Sequence, residues 1–169
     1  MSSTLTDTIL VAGIEPESIT DGPGVRFVVF TQGCPHNCPG CHNPETHALS
    51  GRGQELTVDE LFARIAADPL LAGVTFSGGE PFLHARALAH LARKCHAIGK
   101  SVMVYTGYLY EKLRAEKNPD WEALLAEVDI LVDGPYLQQE RSLDLRFRGS
   151  RNQRVFYLTE TGKAEERYF

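Results

Sequence analysis

The chain is predicted to fold as α/β, a partial (open) β/α barrel with a mostly parallel sheet, on two observations. Strand-like apolar runs alternate with amphipathic helical segments along it, the pattern of a parallel sheet with helices packed on it. Its 169 residues also fall short of the ~250 that a closed eight-unit barrel takes, so only part of a barrel can form. A 43% hydrophobic composition is enough for one core, and no stretch has linker character, so residues 1–169 read as a single domain.

Met1 to Thr6 reads as a loose end. Asp21-Gly-Pro-Gly24 is a turn signal, and the β-branched and aromatic run Val25 to Thr31 after it reads as a buried strand. Thr57 and Glu60 form a capping box, with Leu61, Phe62, Ile65 and Ala66 as the apolar face of a helix that stops near Asp68-Pro69. Gly73 to Ser77 is a short strand ending at Gly78-Gly79. Ala85 to Ile98 follows as a helix whose stripe includes Leu88, Leu91, Ala92 and Cys95, which makes Cys95 a small buried apolar residue. Ser101 to Tyr105 is a strand and Tyr110 to Ala115 a short helix. Asn118-Pro119 caps another helix around Trp121 to Glu127. Val128 to Val132 and Arg154 to Leu158 complete the expected strands.

A formal charge of -5 and a pI near 5.7 argue against a dedicated nucleic-acid binder. No apolar run approaches the ~20 residues that span a bilayer, and Met1 to Gly13 lacks the basic and apolar regions of a signal peptide. The expectation is a cytoplasmic protein with no membrane and no nucleic acid among its partners.

The chemistry concentrates in Gly33-Cys-Pro-His-Asn-Cys-Pro-Gly-Cys-His42, where Cys34, Cys38 and Cys41 are spaced C-x3-C-x2-C. A cubane iron–sulfur cluster takes four anchors, so three thiolates from one loop leave one iron open to a non-protein ligand. Zinc is a second reading, since His42 or His36 could close a tetrahedron. Cys38 to His42 also fits the C-x-x-C-H pattern of haem attachment, which is discounted for want of an export signal. A disulfide framework is no better, because 4 cysteines, three of them packed between Cys34 and Cys41, cannot staple a chain of this length. Pro35 and Pro39 fix the local backbone, while Gly33 and Gly40 permit the tight path on which three sulfurs converge.

In parallel α/β folds the working residues gather at the C-terminal strand ends. The cysteine loop, Ser77-Gly-Gly-Glu-Pro81, Tyr105-Thr-Gly-Tyr108 and Asp133-Gly-Pro135 all follow strands and are expected on one rim. Gly78-Gly79 alone is an ordinary turn; beside a three-thiolate loop it also lets backbone carbonyls approach an ammonium group. Glu80 either adds charge there or sits at the N-terminus of the next helix.

Taken in order, these motifs resemble the radical S-adenosylmethionine superfamily, and Asp21-Gly-Pro-Gly-Val-Arg26 is similar to its glycyl-radical activases. Cys38-Pro-Gly-Cys41, Val104-Tyr-Thr-Gly-Tyr108, Leu131-Val-Asp-Gly134 and Arg148-Gly-Ser-Arg-Asn-Gln153 favour, as partner, an anaerobic ribonucleoside-triphosphate reductase. The resemblance runs from about Ile19 to Leu158. It implies a [4Fe-4S] cluster on Cys34, Cys38 and Cys41, with S-adenosylmethionine chelating the open iron. Ser77, Gly78, Gly79 and Glu80 are then placed at its amino end and Thr106 near its ribose or adenine. An electron from a low-potential donor breaks the sulfonium bond, and the adenosyl radical takes a hydrogen from a glycine of the partner. No protein acid or base is needed. This chain departs from the family in having Gly40 and His42 where aromatic residues are common beside the last cysteine; backbone contacts to the cofactor survive at both positions. The rivals are activation of another glycyl-radical enzyme, small-molecule radical chemistry, or a zinc-binding interaction module.

Five arginines between Arg141 and Arg154 stand out on an acidic chain. They form either a solvated face partnered by Glu140 and Asp144, or a surface that docks the partner or meets the cofactor carboxylate.

Overall fold

The β-branched run after the Asp21–Gly24 turn forms a fully paired central strand in the computed structural model, which describes residues 7–36, 38–41, 44–48, 52–158 and 164–166. In chain order the strands are β1 (Thr8–Ser18), β2 (Arg26–Thr31), β3 (Gln54–Thr57), β4 (Gly73–Gly78), β5 (Ser101–Tyr105), β6 (Ile130–Asp133), β7 (Arg154–Leu158) and β8 (Ala164–Glu166). The helices are α1 (Val58–Ala66), α2 (Ala85–Ala97), α3 (Tyr110–Ala115) and α4 (Pro119–Leu125). Met1 to Thr6, expected to be loose, lie outside the described residues.

The strands form one mixed sheet ordered β3-β1-β2-β4-β5-β6-β7-β8, which does not close on itself. Its centre is parallel as expected, β2 to β4 to β5 to β6, each joined to the next by a segment containing helix. The flanks are antiparallel: β3 on β1, β1 on β2, β7 on β6 and β8 on β7. The Arg154 to Leu158 strand therefore runs opposite to the direction that a strictly parallel sheet requires. No α-helix lies between β6 and β7, so the chain returns without a crossover, and a return of that kind pairs antiparallel.

The cap of α1 is the expected box: the Thr57 hydroxyl accepts from Glu60 N–H while the Glu60 carboxylate accepts from Thr57 N–H. Asn118 caps α4 with Pro119 in its first turn. The four helices pack on one face of the sheet, where Leu61, Ile65, Leu88, Leu91, Leu113 and Leu124 meet Phe27, Val29, Val74, Phe76, Val102 and Val104. Cys95 is in that core with 0% exposure, and burial pushes its thiol up to about 12. Alternate strand residues line the opposite face, where Met103, Ile130, Val132 and Val155 pack with Tyr105, Phe147 and Tyr157. The same face holds Arg26, buried to 1% exposure, its guanidinium donating to Thr75 Oγ1, Ser101 Oγ and the carbonyls of Pro23, Val74 and Ser101. Burial lowers its pKa to about 10. Among the described residues no helix is long and apolar enough to cross a membrane.

Candidate functional site

The parallel centre of the sheet delivers four loops to the same end. Cys34, Cys38 and Cys41 after β2, Ser77 to Gly79 at the end of β4, Thr106 and Gly107 after β5, and Gly134 after β6 all line one cavity of about 480 Å³. The expectation of a shared rim is met in the geometry. Its other walls come from Asp21, Phe30, His47 and Tyr105, and from Tyr136, Leu145, Phe147, Arg148 and Gln153 in the long β6–β7 connection.

The cysteine loop is held by backbone on both sides. Gly33 N–H donates to Thr46 O at 2.6 Å, Cys34 N–H to His47 O at 3.3 Å, and Glu80 N–H to Gly33 O at 2.7 Å. The buried Gln32 amide donates to the carbonyls of Glu45 and Ala48, closing the loop at its base. Cys41 N–H donates to Cys38 O at 3.1 Å around Pro39 and Gly40, with Gly40 at φ +72°. That is the residue pattern of a type II turn, in which the third position needs positive φ. A side chain at Gly40 would be strained at that φ, while the Gln138 side-chain end it would meet is flexible enough to move aside. Gly40 itself is exposed. His42 lies outside the described residues.

Gly78 and Gly79 are glycines for lack of space. A Cβ on Gly78, at φ +98°, would come within 2.5 Å of Thr31 N, and one on Gly79 would overlap the Gly33 carbonyl oxygen. The two loops are thus packed backbone to backbone, and Thr31 Oγ1 donates to Ser77 O to hold the register.

Of the two roles weighed for Glu80, the structure displays the local one. Its side chain caps the short 3-10 turn Pro81–His84 by accepting from Phe82 N–H at 3.0 Å. Buried at 0% exposure, it also accepts from Gly107 N–H at 2.8 Å and His36 Nε2 at 2.5 Å, and the Thr106 hydroxyl sits 2.9 and 2.8 Å from its two oxygens. Glu80 and Thr106, expected at the amino end and at the ribose or adenine of the cofactor respectively, are bonded to each other. Burial raises the Tyr108 pKa, with the charges of Glu80 and Cys34 adding to it.

The arginine stretch divides. Arg154 pairs with Asp133 and with Glu111, not with Glu140 or Asp144, and these bonds hold its pKa above the usual range and that of Glu111 below it. Arg148 donates to the carbonyls of Arg151 and Gln153 and lies on the cavity wall. Gln153 in turn accepts from Gly149 N–H and donates to Gly134 O, so Arg148 to Gln153 knots the β6–β7 connection. His47, Tyr136, Leu145 and Phe147 on the wall were not foreseen. They reach it through loops without periodicity, and only their place next to a motif could have marked them.

None of the four cysteines is in a disulfide, and the three at the cavity are half-buried where Cys95 is fully so. Among the described residues no three ligating side chains are already gathered on a point that would hold a single ion. Three soft thiols sharing a roomy cavity suit a multi-iron cluster, whose anchors stand further apart than the ligands of a lone ion.

A family model described as a 4Fe-4S single cluster domain matches residues 20–156. The anaerobic ribonucleoside-triphosphate reductase-activating protein of Vibrio cholerae is 35% identical over 153 residues, 85% of this chain and 95% of that protein. The protein of the same name from Escherichia coli K12 is 32% identical over 152 residues with the same coverage. The pyruvate formate-lyase-activating enzyme of Clostridium pasteurianum is 36% identical over 128 residues, 72% of this chain and 50% of that enzyme. The match to a 4Fe-4S domain spans the thiol loop and all four strand ends of the cavity. With relatives above 30% identity aligned over most of its length, the chain belongs to the 4Fe-4S anaerobic ribonucleoside-triphosphate reductase-activating protein family.

Proposed function

We propose that this chain is a cytoplasmic, single-domain activase on a partial β/α barrel, which reductively cleaves S-adenosylmethionine and generates a glycyl radical on an anaerobic ribonucleoside-triphosphate reductase. The observation that supports it is the cavity itself, which three cysteines outside any disulfide line together with Ser77, Gly78 and Gly79. Cys34, Cys38 and Cys41 hold the [4Fe-4S] cluster; Ser77, Gly78 and Gly79 accept the cofactor's amino end through backbone, and Thr106 stands on the wall at its adenosyl end. Gly40 and His42 offer backbone. Bound together, cluster and S-adenosylmethionine supply one-electron cleavage of a carbon–sulfur bond, the chemistry by which a glycine α-hydrogen is removed. The protein's part is to orient and to shield. Phe30, Leu145 and Phe147 make the wall apolar, and Gln153 and Arg148 hold the connection that covers it.

A reductase is favoured over another glycyl-radical partner because the Vibrio cholerae reductase-activating relative aligns with 85% of this chain and the pyruvate formate-lyase-activating enzyme with 72%. Of the four cysteines only Cys95 is left over for any second cluster, and it is buried in the helical core. The test is anaerobic reconstitution with iron and sulfide, reduction, and assay of 5'-deoxyadenosine and methionine from added S-adenosylmethionine. Both products are expected from the wild-type chain and neither from Cys34→Ala. Tight zinc binding with no iron uptake would show a zinc module instead.

A further inference from the structure

His36 lies between two of the three cysteines and lines the same cavity, and its ring is bonded to the loops at the ends of β4 and β5. Its Nε2 donates to Glu80 Oε1 at 2.5 Å, and its side chain is 15% exposed against 0% for the carboxylate. The ring fills the space that a side chain on Gly107 would take, since a Cβ there would overlap His36 Cδ2. Tyr108 packs edge-on against it, with centroids 4.5 Å apart, and stacks in turn on Trp121 at 4.9 Å. Trp121 Nε1 donates to Phe82 O at 2.9 Å, two residues beyond Glu80. A closed circuit results, from the cysteine loop through His36 to Glu80 at the end of β4, on to Thr106 and Gly107 after β5, and back through Tyr108 and Trp121. No other described side chain of the x3 segment makes a bond to the strand ends: Pro35 has no donor.

We propose that His36 is a positioning residue whose bond to Glu80 fixes the path of the Cys34–Cys38 segment, setting the placement of the cluster relative to the S-adenosylmethionine pocket at Ser77–Gly79. The proposal rests on the reading of Cys34, Cys38 and Cys41 as cluster ligands. Its physical basis is that a three-thiolate loop containing glycine and proline has few contacts of its own, so the orientation of its sulfurs is set by whatever anchors it. Glu80 serves as the anchor because all its acceptor capacity is spent on protein donors from three segments. The role of the Gly-Gly-Glu segment in this chain is then divided: the glycines face the cofactor, and the carboxylate faces the cysteine loop.

The test compares wild-type, His36→Ala, His36→Gln and Glu80→Gln proteins after anaerobic reconstitution. Iron and sulfide content, the electron paramagnetic resonance spectrum of the reduced cluster with and without S-adenosylmethionine, and the cofactor Kd are measured. His36→Ala is expected to load iron but to give a broadened spectrum that responds weakly to the cofactor, with Kd raised about tenfold. His36→Gln, whose amide can still donate to Glu80, is expected to recover most of both. In the Glu80→Gln background, His36→Ala should add less than its effect alone. An unchanged spectrum and Kd in His36→Ala would overturn the proposal. If that variant does not fold, His36→Gln decides: near-wild-type values support the proposal, and a spectrum and Kd as poor as those of Glu80→Gln overturn it. Absence of an iron–sulfur spectrum in the wild-type chain would instead defeat the cluster assignment, a separate outcome.

Discussion

Gly79 lies against Gly33 so closely that a β-carbon on one would overlap the carbonyl oxygen of the other. The contact is backbone to backbone, and Glu80 N–H donates to the same Gly33 carbonyl, so neither loop can yield without losing a bond. Gly79→Ala is therefore expected to push the cysteine loop out of place at a cost of about 1–3 kcal/mol, with iron uptake and cofactor binding both reduced. Gly13→Ala, where nothing lies within 4 Å, is the control and should leave both unchanged. Iron content after reconstitution and urea denaturation read the two effects.

The cysteines separate by environment. Cys34→Ala, Cys38→Ala and Cys41→Ala are each expected to abolish cofactor cleavage, because each removes one of three anchors. Cys95→Ala should keep the cluster and cost ~1 kcal/mol for the atom removed from the core. Loss of the cluster in Cys95→Ala would contradict the ligand assignment. Iron analysis and thermal unfolding check the set.

Arg26 ties the starts of three parallel strands through the carbonyls of Val74 and Ser101 and the hydroxyls of Thr75 and Ser101. Arg26→Ala removes these bonds and the one to the Pro23 carbonyl, and leaves Thr75 Oγ1 with only its bond to Asp21 O, for an expected loss of about 3 kcal/mol. Arg26→Lys should recover little, since one ammonium cannot span the positions of the planar fork. The midpoint of urea unfolding measures both.

How far all this was legible in the sequence depends on the range of the interactions involved. The central strands were readable because Val25 to Thr31 and Val128 to Val132 are rich in β-branched and other apolar residues, each with a single charged residue near its start, and α1 because a capping box lies within four residues. β1 was not, because Gly13 and Pro16 interrupt Thr8–Ser18. The structure tolerates them at register shifts between Val11 and Gly13 and between Glu15 and Ser18, where the ladder is already broken. β3 was hidden in the polar lead-in to the Thr57 cap, and β8 lies past the last expected strand. The site shows the same divide. Shared strand ends followed from topology, whereas the Glu80–His36 bond joins residues 44 apart and leaves no local trace.

His96 bridges Glu127 at 3.0 Å and Asp129 at 2.8 Å, at the end of the sheet where β6 begins. Burial by itself lowers its pKa, but the bonds to Asp129 and Glu127 outweigh that, and the folded-state value is raised above 6.5. A histidine with a raised folded pKa stabilises fully below its unfolded pKa and loses that stabilisation as pH rises through the folded value. The stability difference between wild type and His96→Gln is thus expected to be largest below pH 6.5 and to shrink as pH rises past the folded pKa. Urea unfolding across that range measures it, and a difference that grows with pH would contradict the sign.

The most direct measurement mixes the reduced, reconstituted chain and S-adenosylmethionine with an anaerobic ribonucleoside-triphosphate reductase in the absence of air and records the electron paramagnetic resonance spectrum. A glycine-centred radical on the reductase, absent with Cys38→Ala, is the predicted result. Reduced cluster and intact cofactor with no radical on the reductase would contradict the account.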